Sequence, residues 1–447
     1  MWGKITKGKA LLLVISATGT ATIAAGQVSP IQISRNQTYT TRYWDYDALQ
    51  VNPANIAAQW QPGRKLSFGL LSSNFTLYSA GVKNDLLHDG KVSNLASLSH
   101  WVNDILPARN AFNLENTIFG MHFHIKNAGA FAISARSQVY GEAEFNGMLE
   151  NLNLDNTTID QLPDILLASQ EDNSQGNHQE PSYLRFSSVA EINFGHSIRI
   201  VNTPKTKLYF GSGVKYLMGL ADMGLQFNGQ ELAGYYSLSS MLPKEWIDSN
   251  YASYIHNDKK YGHGFGASVG FALKWDNKLH VGLSVVDLGF IRWPAHRFYL
   301  KATDAVVAAV TEHTVEDAVE KVMQDFQRKE DGTELQPARV IVGASYAVHR
   351  YVHFYLDFIS PLYASPRGLT YPTLGVGTWL SLKDIITLKT GLVLAAPRLI
   401  TLPVYLSFYG GKRRVFEMSF GTSDVLSFIL PQRPYMNVET VMMKYHF

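Results

Sequence analysis

The sequence predicts an all-β fold: a transmembrane, antiparallel, up-and-down β-barrel of about fourteen strands, with an N-terminal plug segment and helical extracellular loops. Three observations predict it. The connections between strand-like segments alternate between a few residues and a few tens of residues. The segments alternate apolar and polar side chains with period two. A leader-like segment opens the chain, and no long apolar run follows it.

The short joints fall at Asn127-Ala128-Gly129, Asn202-Thr203-Pro204-Lys205, Asp276-Asn277-Lys278, His349-Arg350, Lys383-Asp384 and Gly410-Gly411-Lys412, and read as tight hairpin turns. Between them lie 80–112, 146–181, 227–261 and 301–336, with shorter connections near 363–370, 397–400 and 427–433. Every second connection is therefore tight. Outer-membrane barrels combine short periplasmic turns, longer extracellular loops and an even strand number, which puts both termini on the periplasmic side.

At the start, Lys4, Lys7 and Lys9 precede an apolar stretch from Ala10 to Ala25, and the small residues Ala24 and Gly26 stand before Gln27. This pattern predicts a secretory signal peptide over 1–26. Its removal takes three lysines and no acid from a formal charge of +2, leaving −1. A nearly neutral chain offers no basic footprint for nucleic acid. There is no cysteine, which excludes a disulfide framework and an N-terminal lipidated cysteine. Past Gln27 no apolar run approaches the roughly 20 residues of a spanning helix, so a membrane-borne chain must cross as strands.

The strand candidates are 65–79, 113–126, 129–145, 182–200, 206–226, 262–275, 278–300, 337–348, 351–362, 371–382, 385–396, 401–409, 413–426 and 434–447. In the second, Phe119, Met121, Phe123 and Ile125 share one face and His122, His124 and Lys126 the other. In the ninth, Val352, Phe354, Leu356 and Phe358 alternate with His353, Tyr355 and Asp357. In the twelfth, Leu402, Val404, Leu406 and Phe408 alternate with Pro403, Tyr405, Ser407 and Tyr409. An apolar-out, polar-in repeat fits lipid outside and a hydrated lumen inside. A soluble sandwich also alternates, but its strands average about 5–6 residues and its connections mix in length. The last segment carries Val441, Met443, Tyr445 and Phe447 on one face and Thr440, Lys444 and His446 on the other. A final strand ending in an aromatic is the signal that barrel-assembly machinery reads.

Among the long connections, 304–327 places Val315, Val319, Val322 and Phe326 on one helical stripe. Segment 92–106 offers Leu95, Leu98, Val102 and Ile105, and 159–167 offers Ile159, Leu162 and Ile165. Such stripes pack a loop over the rim or line an apolar vestibule. Residues 27–64, ahead of the barrel at 65–447, are too irregular for strands; they form either a plug inside the lumen or a periplasmic arm.

Asn52-Pro53-Ala54-Asn55 in that segment resembles the Asn-Pro-Ala segment near the start of FadL-like barrels, the long-chain fatty-acid transporter superfamily. Val286 to Trp293 and Gly69 to Phe75 are similar to segments of a branch of outer-membrane barrels that also resembles the PorV-type proteins of type IX secretion. The resemblance implies fourteen strands with an N-terminal plug containing Asn52, Pro53 and Asn55. FadL-like members carry hydrophobic compounds through a plugged lumen and a side opening, whereas PorV-like members shuttle secreted proteins at the surface.

No enzyme is expected: there is no Gly-x-Ser-x-Gly, His-Glu-x-x-His or P-loop pattern. Gly262-His263-Gly264-Phe265-Gly266 opens a strand rather than a helix, so a dinucleotide loop fails its required context, and glycines there permit a bend or close strand approach. His122 and His124 lack a third ligand for a metal, and no cofactor is expected. Lumen-lining candidates are His122, His124, Arg136, Arg185, Glu191, His353 and Asp357. Asp287 is anomalous, because the apolar face Val281, Leu283, Val285 extends it toward lipid, where a carboxylate costs up to a few kcal/mol. A bulge near Gly289 turns it inward and kinks the wall, as either a lateral portal or an anchor for Arg292.

The leading expectation is an outer-membrane barrel of a Gram-negative cell that binds or passes a hydrophobic small molecule, in contact with outer-membrane lipid and the assembly machinery. The alternative is a non-transporting surface scaffold or shuttle for protein secretion or cell-envelope assembly. A polar-solute porin comes third.

Overall fold

The computed structural model describes residues 38–58, 65–87, 90, 108–144, 182–227, 232–238, 262–293, 298–302, 327–328, 332–363, 365, 367–382, 385–395, 399–411 and 415–447. The leader at 1–26, the stripes at 92–106 and 159–167, and all but the last residue of 304–327 lie outside the described residues, as do the parts of 27–64 before Thr38 and after Ala58.

The strands are β1 (Leu66–Tyr78), β2 (Asn110–Ile125), β3 (Gly129–Glu144), β4 (Ser182–Asn202), β5 (Thr206–Phe227), β6 (Leu232–Leu238), β7 (Gly262–Trp275), β8 (Leu279–Trp293), β9 (Phe298–Ala302), β10 (Gln327–Arg328), β11 (Gly332–Leu335), β12 (Arg339–His349), β13 (Val352–Pro361), β14 (Thr373–Leu382), β15 (Ile386–Ala395), β16 (Leu399–Thr401), β17 (Val404–Gly410), β18 (Phe416–Thr422) and β19 (Tyr435–His446). Fourteen of them close a wall in the order β1, β2, β3, β4, β5, β7, β8, β12, β13, β14, β15, β17, β18, β19 and back to β1, every pair antiparallel. Closure leaves the wall no free edge, the condition for strands to cross lipid. The remaining short strands raise it at the end of the long connections: β6 continues along β5, β9 pairs with β6, β10 with β9, and β11 with β8. The two ends are called here the turn end and the loop end.

Where strands depart from the expected spans, the chemistry explains most of it. Pro403 has no N–H to give the ladder, and the 401–409 segment splits around Leu402 and Pro403, with the Leu402 N–H donating instead to Asp424 Oδ1 at 3.0 Å. Pro337 likewise falls in the gap between β11 and β12. The 413–426 segment stops as a strand at Thr422 and ends in a short helix, α2 (Leu426–Ile429), and of the 278–300 segment β8 runs to Trp293 and β9 starts at Phe298. At the β7–β8 turn Asp276 and Asn277 both take positive φ, 51° and 52°, the geometry that matches strand twist in a two-residue hairpin.

Period two then sorts the side chains. Along β13 the buried residues are His353, Tyr355, Asp357 and Ile359, with Phe354 and Leu356 exposed. Phe194, Val214, Phe265, Leu283, Phe354 and Val376 are likewise exposed on the outer face. A closed barrel with such a belt outside and Asp, Lys and Arg inside is built to stand in lipid. The phase changes at one height in three adjacent strands. Leu71, Ile118 and Met442 are each an inserted residue, all three exposed, and Leu71 takes φ 53°. The shift corrects the inner face read for the last strand: Lys444 and His446 are buried below it, but above it the buried residues are Tyr435 and Asn437.

At the loop end, α1 (Ala80–Leu87) is clasped to α2. Lys83 Nζ donates to the carbonyls of Ser427 at 3.2 Å, Leu430 at 2.9 Å and Pro431 at 3.2 Å, and also to Arg433. The ammonium thus satisfies carbonyls that the end of α2 leaves unpaired. Burial, with Arg433 beside it, lowers the proton affinity of this amine. Lys83→Met, similar in size, is expected to destabilise this corner by about 1–3 kcal/mol, read as a lower unfolding midpoint in detergent; an unchanged midpoint would show that the clasp contributes nothing.

Candidate functional site

Thr38–Ala58 packs against the inner face of the wall, built as three short 3-10 turns, Thr40–Arg42, Asp45–Gln50 and Pro53–Ile56. Asn52 caps the third: its Oδ1 accepts from the Ala54 N–H at 3.0 Å, and Pro53 supplies a preset φ at the first position. The Asn52 amide also donates to Phe271 O on β7 at 2.9 Å, and Asn55 Nδ2 donates to Thr40 O at 2.9 Å, tying the last turn to the first. The Asn-Pro-Ala-Asn run is therefore a capped turn that fastens itself to the wall.

The wall is hollowed to receive it. Inward glycines stand on β1, β2, β5, β7 and β12 where the segment passes, and a Cβ at each of the following would collide. At Gly69 it would lie 1.8 Å from Tyr46 Oη, at Gly120 2.2 Å from the Tyr46 ring, at Gly211 2.3 Å from the Pro53–Ala54 peptide, at Gly270 2.1 Å from Asn52 Oδ1 and at Gly343 2.0 Å from Thr40 Oγ1. Polar side chains pin what the glycines admit. Asp357 on β13 accepts from the N–H groups of Tyr39 at 2.7 Å and Thr40 at 3.2 Å and from the Thr40 hydroxyl. Ser197 Oγ on β4 donates to Ala54 O at 2.9 Å, and Ser284 Oγ on β8 to Val51 O. On β19, Lys444 Nζ lies 3.1 Å from Asp45 Oδ2 and also pairs with Asp47. These contacts, from β1 through β13 and from β19, hold the segment against the inner face of the wall.

Beside it runs a chain of alternating charge carried by six strands of the wall, with β7 between β5 and β8 contributing none: Glu115 (β2), Arg136 (β3), Glu191 (β4), Lys215 (β5), Asp287 (β8) and Arg339 (β12). Arg136 pairs with Glu115 at 3.1 Å and Glu191 at 2.7 Å; Lys215 pairs with Glu191 at 3.3 Å and with Asp287; Arg339 reaches Asp287 at 3.3 Å and donates to Gln50 O at 3.1 Å. Buried charges are tolerable when each is paired and hydrogen-bonded. With three acids and three bases the chain balances itself, and the space left against Gln50, Gln336 and Pro337 is about 20 Å3, room for a single water.

Asp287 reaches this chain through a bulge. Ala267 pairs with Leu288 and Val269 with Val285, so Val286 and Asp287 together oppose Ser268, and Asp287 takes φ 64°. The bulge lies two residues before Gly289, and it reverses the phase of β8. Asp287, Ile291 and Trp293 consequently face inward, while Arg292 is exposed. The carboxylate anchors Lys215 and Arg339; Arg292 stands beyond this cluster. Gly289 sits where a Cβ would come 2.1 Å from Phe265 O, and its carbonyl accepts from the Gln336 N–H at 2.9 Å.

Toward the loop end the lining turns apolar. Val189, Leu217, Ile291 and Trp293 form a buried cluster on the inner face of β4, β5 and β8. Trp293 lies against Gly219 and Gly262, where the partner of β5 changes from β7 to β6. The Gly262-His263-Gly264-Phe265-Gly266 run thus turns its glycines inward, two of them beneath the Trp293 and Lys215 side chains, and its His263 and Phe265 outward.

The other expected lumen residues separate. His122 is buried, with Trp44 edge-on at 5.9 Å, but His124, two residues on, is exposed at the turn end. His353 is buried against Trp379, ring centroids 4.8 Å apart. Arg185 is exposed toward the loop end, its guanidinium 5.4 Å from the Tyr183 ring. Among the described residues no three His, Cys, Asp or Glu side chains converge as a metal site. Glu115, Lys215 and Arg339 escaped the sequence reading, although each falls on the polar phase of its strand; so did the docking glycines.

No curated protein matches the chain. Among solved structures it is similar to a TodX deltaS2S3 mutant monoaromatic hydrocarbon channel, at 11% identity with 94% of this chain and 98% of that chain covered and a TM-score of 0.49. It is also similar to the Ralstonia pickettii toluene transporter TbuX, at 10% identity, 94% and 98% covered and a TM-score of 0.42, and to a Pseudomonas aeruginosa FadL homologue, at 9% identity, 94% and 96% covered and a TM-score of 0.45. The family of unknown function DUF5723 matches residues 53–390, well over half of the chain and spanning both the capped turn and the bulged strand, and the protein belongs to that family.

Proposed function

We propose that the protein stands in the outer membrane of a Gram-negative cell, its termini and tight turns periplasmic and its long connections outside, and there binds or passes a hydrophobic small molecule in FadL-like fashion. One observation carries this reading: the inward cluster of Val189, Leu217, Ile291 and Trp293, an apolar patch on the loop-end side of a charged lumen. Apolar side chains gathered on an inner wall suit an apolar ligand that parts them, with the surrounding polar groups fixing its orientation. A porin for polar solutes fits poorly, because Thr38–Ala58 occupies the cross-section that such solutes need.

The test is fluorescence quenching of the purified protein by a long-chain acid carrying bromine on its chain. Saturable quenching that is lost in Trp293→Phe is expected, and Trp293→Ala is expected to weaken binding about fivefold or more, as loss of apolar contact worth about 1–3 kcal/mol implies. Quenching that is linear in ligand and indifferent to Trp293 would exclude this patch. The segment Thr38–Ala58 packed against the inner wall supports a second reading, a non-transporting surface scaffold for secretion or envelope assembly; that reading gains if no ligand binds and the barrel co-purifies with exported protein.

A further inference from the structure

A formal charge near zero conceals a polarised molecule. At the turn end the exposed cations are Lys65, Lys126, Arg199, Lys205, Lys278 and Arg350, and Asp276 is the single exposed acid there among the described residues. They are spread along the wall from β1 round to the β12–β13 turn. We propose that this rim docks the phosphate headgroups of anionic phospholipids in the leaflet at the turn end.

The occupant follows from what stands beside each cation. Lys126 follows Ile125, which is 46% exposed; Arg199 lies between the exposed Ile198 and Ile200; Lys278 stands just past Trp275 and Arg350 just past Val348, both more than half exposed. Lys65 is next to exposed Leu66, and its N–H donates to the carbonyl of Phe447 at 2.7 Å. Lys126, Lys278 and Arg350, in the tight turns, thus come at the end of an apolar strand face, while Arg199 stands opposite Tyr209 and Lys205 between Pro204 and Thr206. A side chain in that position lays its hydrocarbon stem along the apolar surface and lifts its charge to headgroup depth. Interfacial aromatics mark the same level: Trp275, Phe447, and Tyr351, whose ring lies 4.3 Å from the Arg350 guanidinium. An acidic protein docking end-on would need cations that face along the barrel axis without apolar neighbours; here the exposed Ile125, Trp275 and Val348 of the outer wall end just short of Lys126, Lys278 and Arg350. Each lysine or arginine near an anionic leaflet contributes about 1 kcal/mol, roughly a fivefold preference.

The full-length protein in nonionic detergent would be mixed with equal amounts of phosphatidylglycerol, phosphatidylcholine and lipid A, and retained lipid measured by native mass spectrometry. Phosphatidylglycerol is expected to be retained at least about fivefold over phosphatidylcholine. The preference should vanish in a combined Lys126→Glu, Arg199→Glu, Lys278→Glu, Arg350→Glu variant that keeps the heat-modifiable migration of a folded barrel. Should that variant fail to fold, raising salt on the unaltered protein provides the check, because screening must reduce the preference. Equal retention of the two phospholipids, or a preference that survives both treatments, overturns the proposal. Dominant retention of lipid A also overturns it and reverses the orientation given above, whereas a failed Trp293 quenching experiment leaves it standing.

Discussion

Gly120→Leu is expected to drive the luminal segment off its seat. A Cβ at residue 120 falls 2.2 Å from the Tyr46 ring, and the rest of a leucine side chain needs the volume the ring occupies. Tyr46 cannot swing aside. It is 1% exposed, packed with Leu49, Ile56 and Ala132, while Gly69 on the neighbouring strand holds its hydroxyl as closely as Gly120 holds its ring. Overpacking of this kind costs about 1–3 kcal/mol where a core can adjust and more where it cannot. The wall is a closed hydrogen-bonded cylinder and the segment is a string of short turns, so the segment yields. Trypsin should then cut after Arg42, and ion conductance across a planar bilayer should rise. Gly410→Ala is the control: a Cβ there is 3.6 Å from Phe416, an ordinary contact. Trypsin resistance and silence in Gly120→Leu would mean that the segment accommodates the leucine without leaving.

Asp287→Ala is expected to be the most damaging single change in the charged chain. It leaves Arg339, 4% exposed, without the carboxylate that pairs it, and leaves Lys215 with Glu191 alone. Breaking one side of a buried pair costs about 3–5 kcal/mol because the remaining charge is stranded. Asp287→Asn separates charge from backbone: asparagine tolerates the φ of 64° that alanine resists, so it should be destabilised less. Equal denaturation midpoints for the two variants would assign the cost to the lost charge and not to the bulge geometry. Normal ligand passage in a folded Asp287→Asn barrel would rule out the bulge as a portal that needs this carboxylate.

The alternation in β13 and the spacing of the tight turns made the barrel legible, because lipid on one side and a lumen on the other impose period two on each strand separately. Asn52-Pro53-Ala54-Asn55 pointed to a plug only through its resemblance to FadL-like barrels, and the residues themselves left plug and periplasmic arm as alternatives. The seat for that segment was not legible. Gly69, Gly120, Gly211, Gly270 and Gly343 are scattered along the chain, and only closure of the barrel brings them around one object. Asp287 announced an irregularity but not its direction: a one-residue bulge reverses which side chains face in, and sequence periodicity cannot say where the extra residue sits. Net charge misled in its own way, since the cations of the turn end are offset in the sum by acids elsewhere.

We propose that the chain's own Thr38–Ala58 closes the lumen. Single-channel recording of the unaltered protein in a planar bilayer, beside a variant lacking residues 38–58, tests it most directly. The unaltered barrel is expected to be silent or nearly so and the shortened one to pass ions steadily; a sustained, porin-like conductance in the unaltered protein would contradict it.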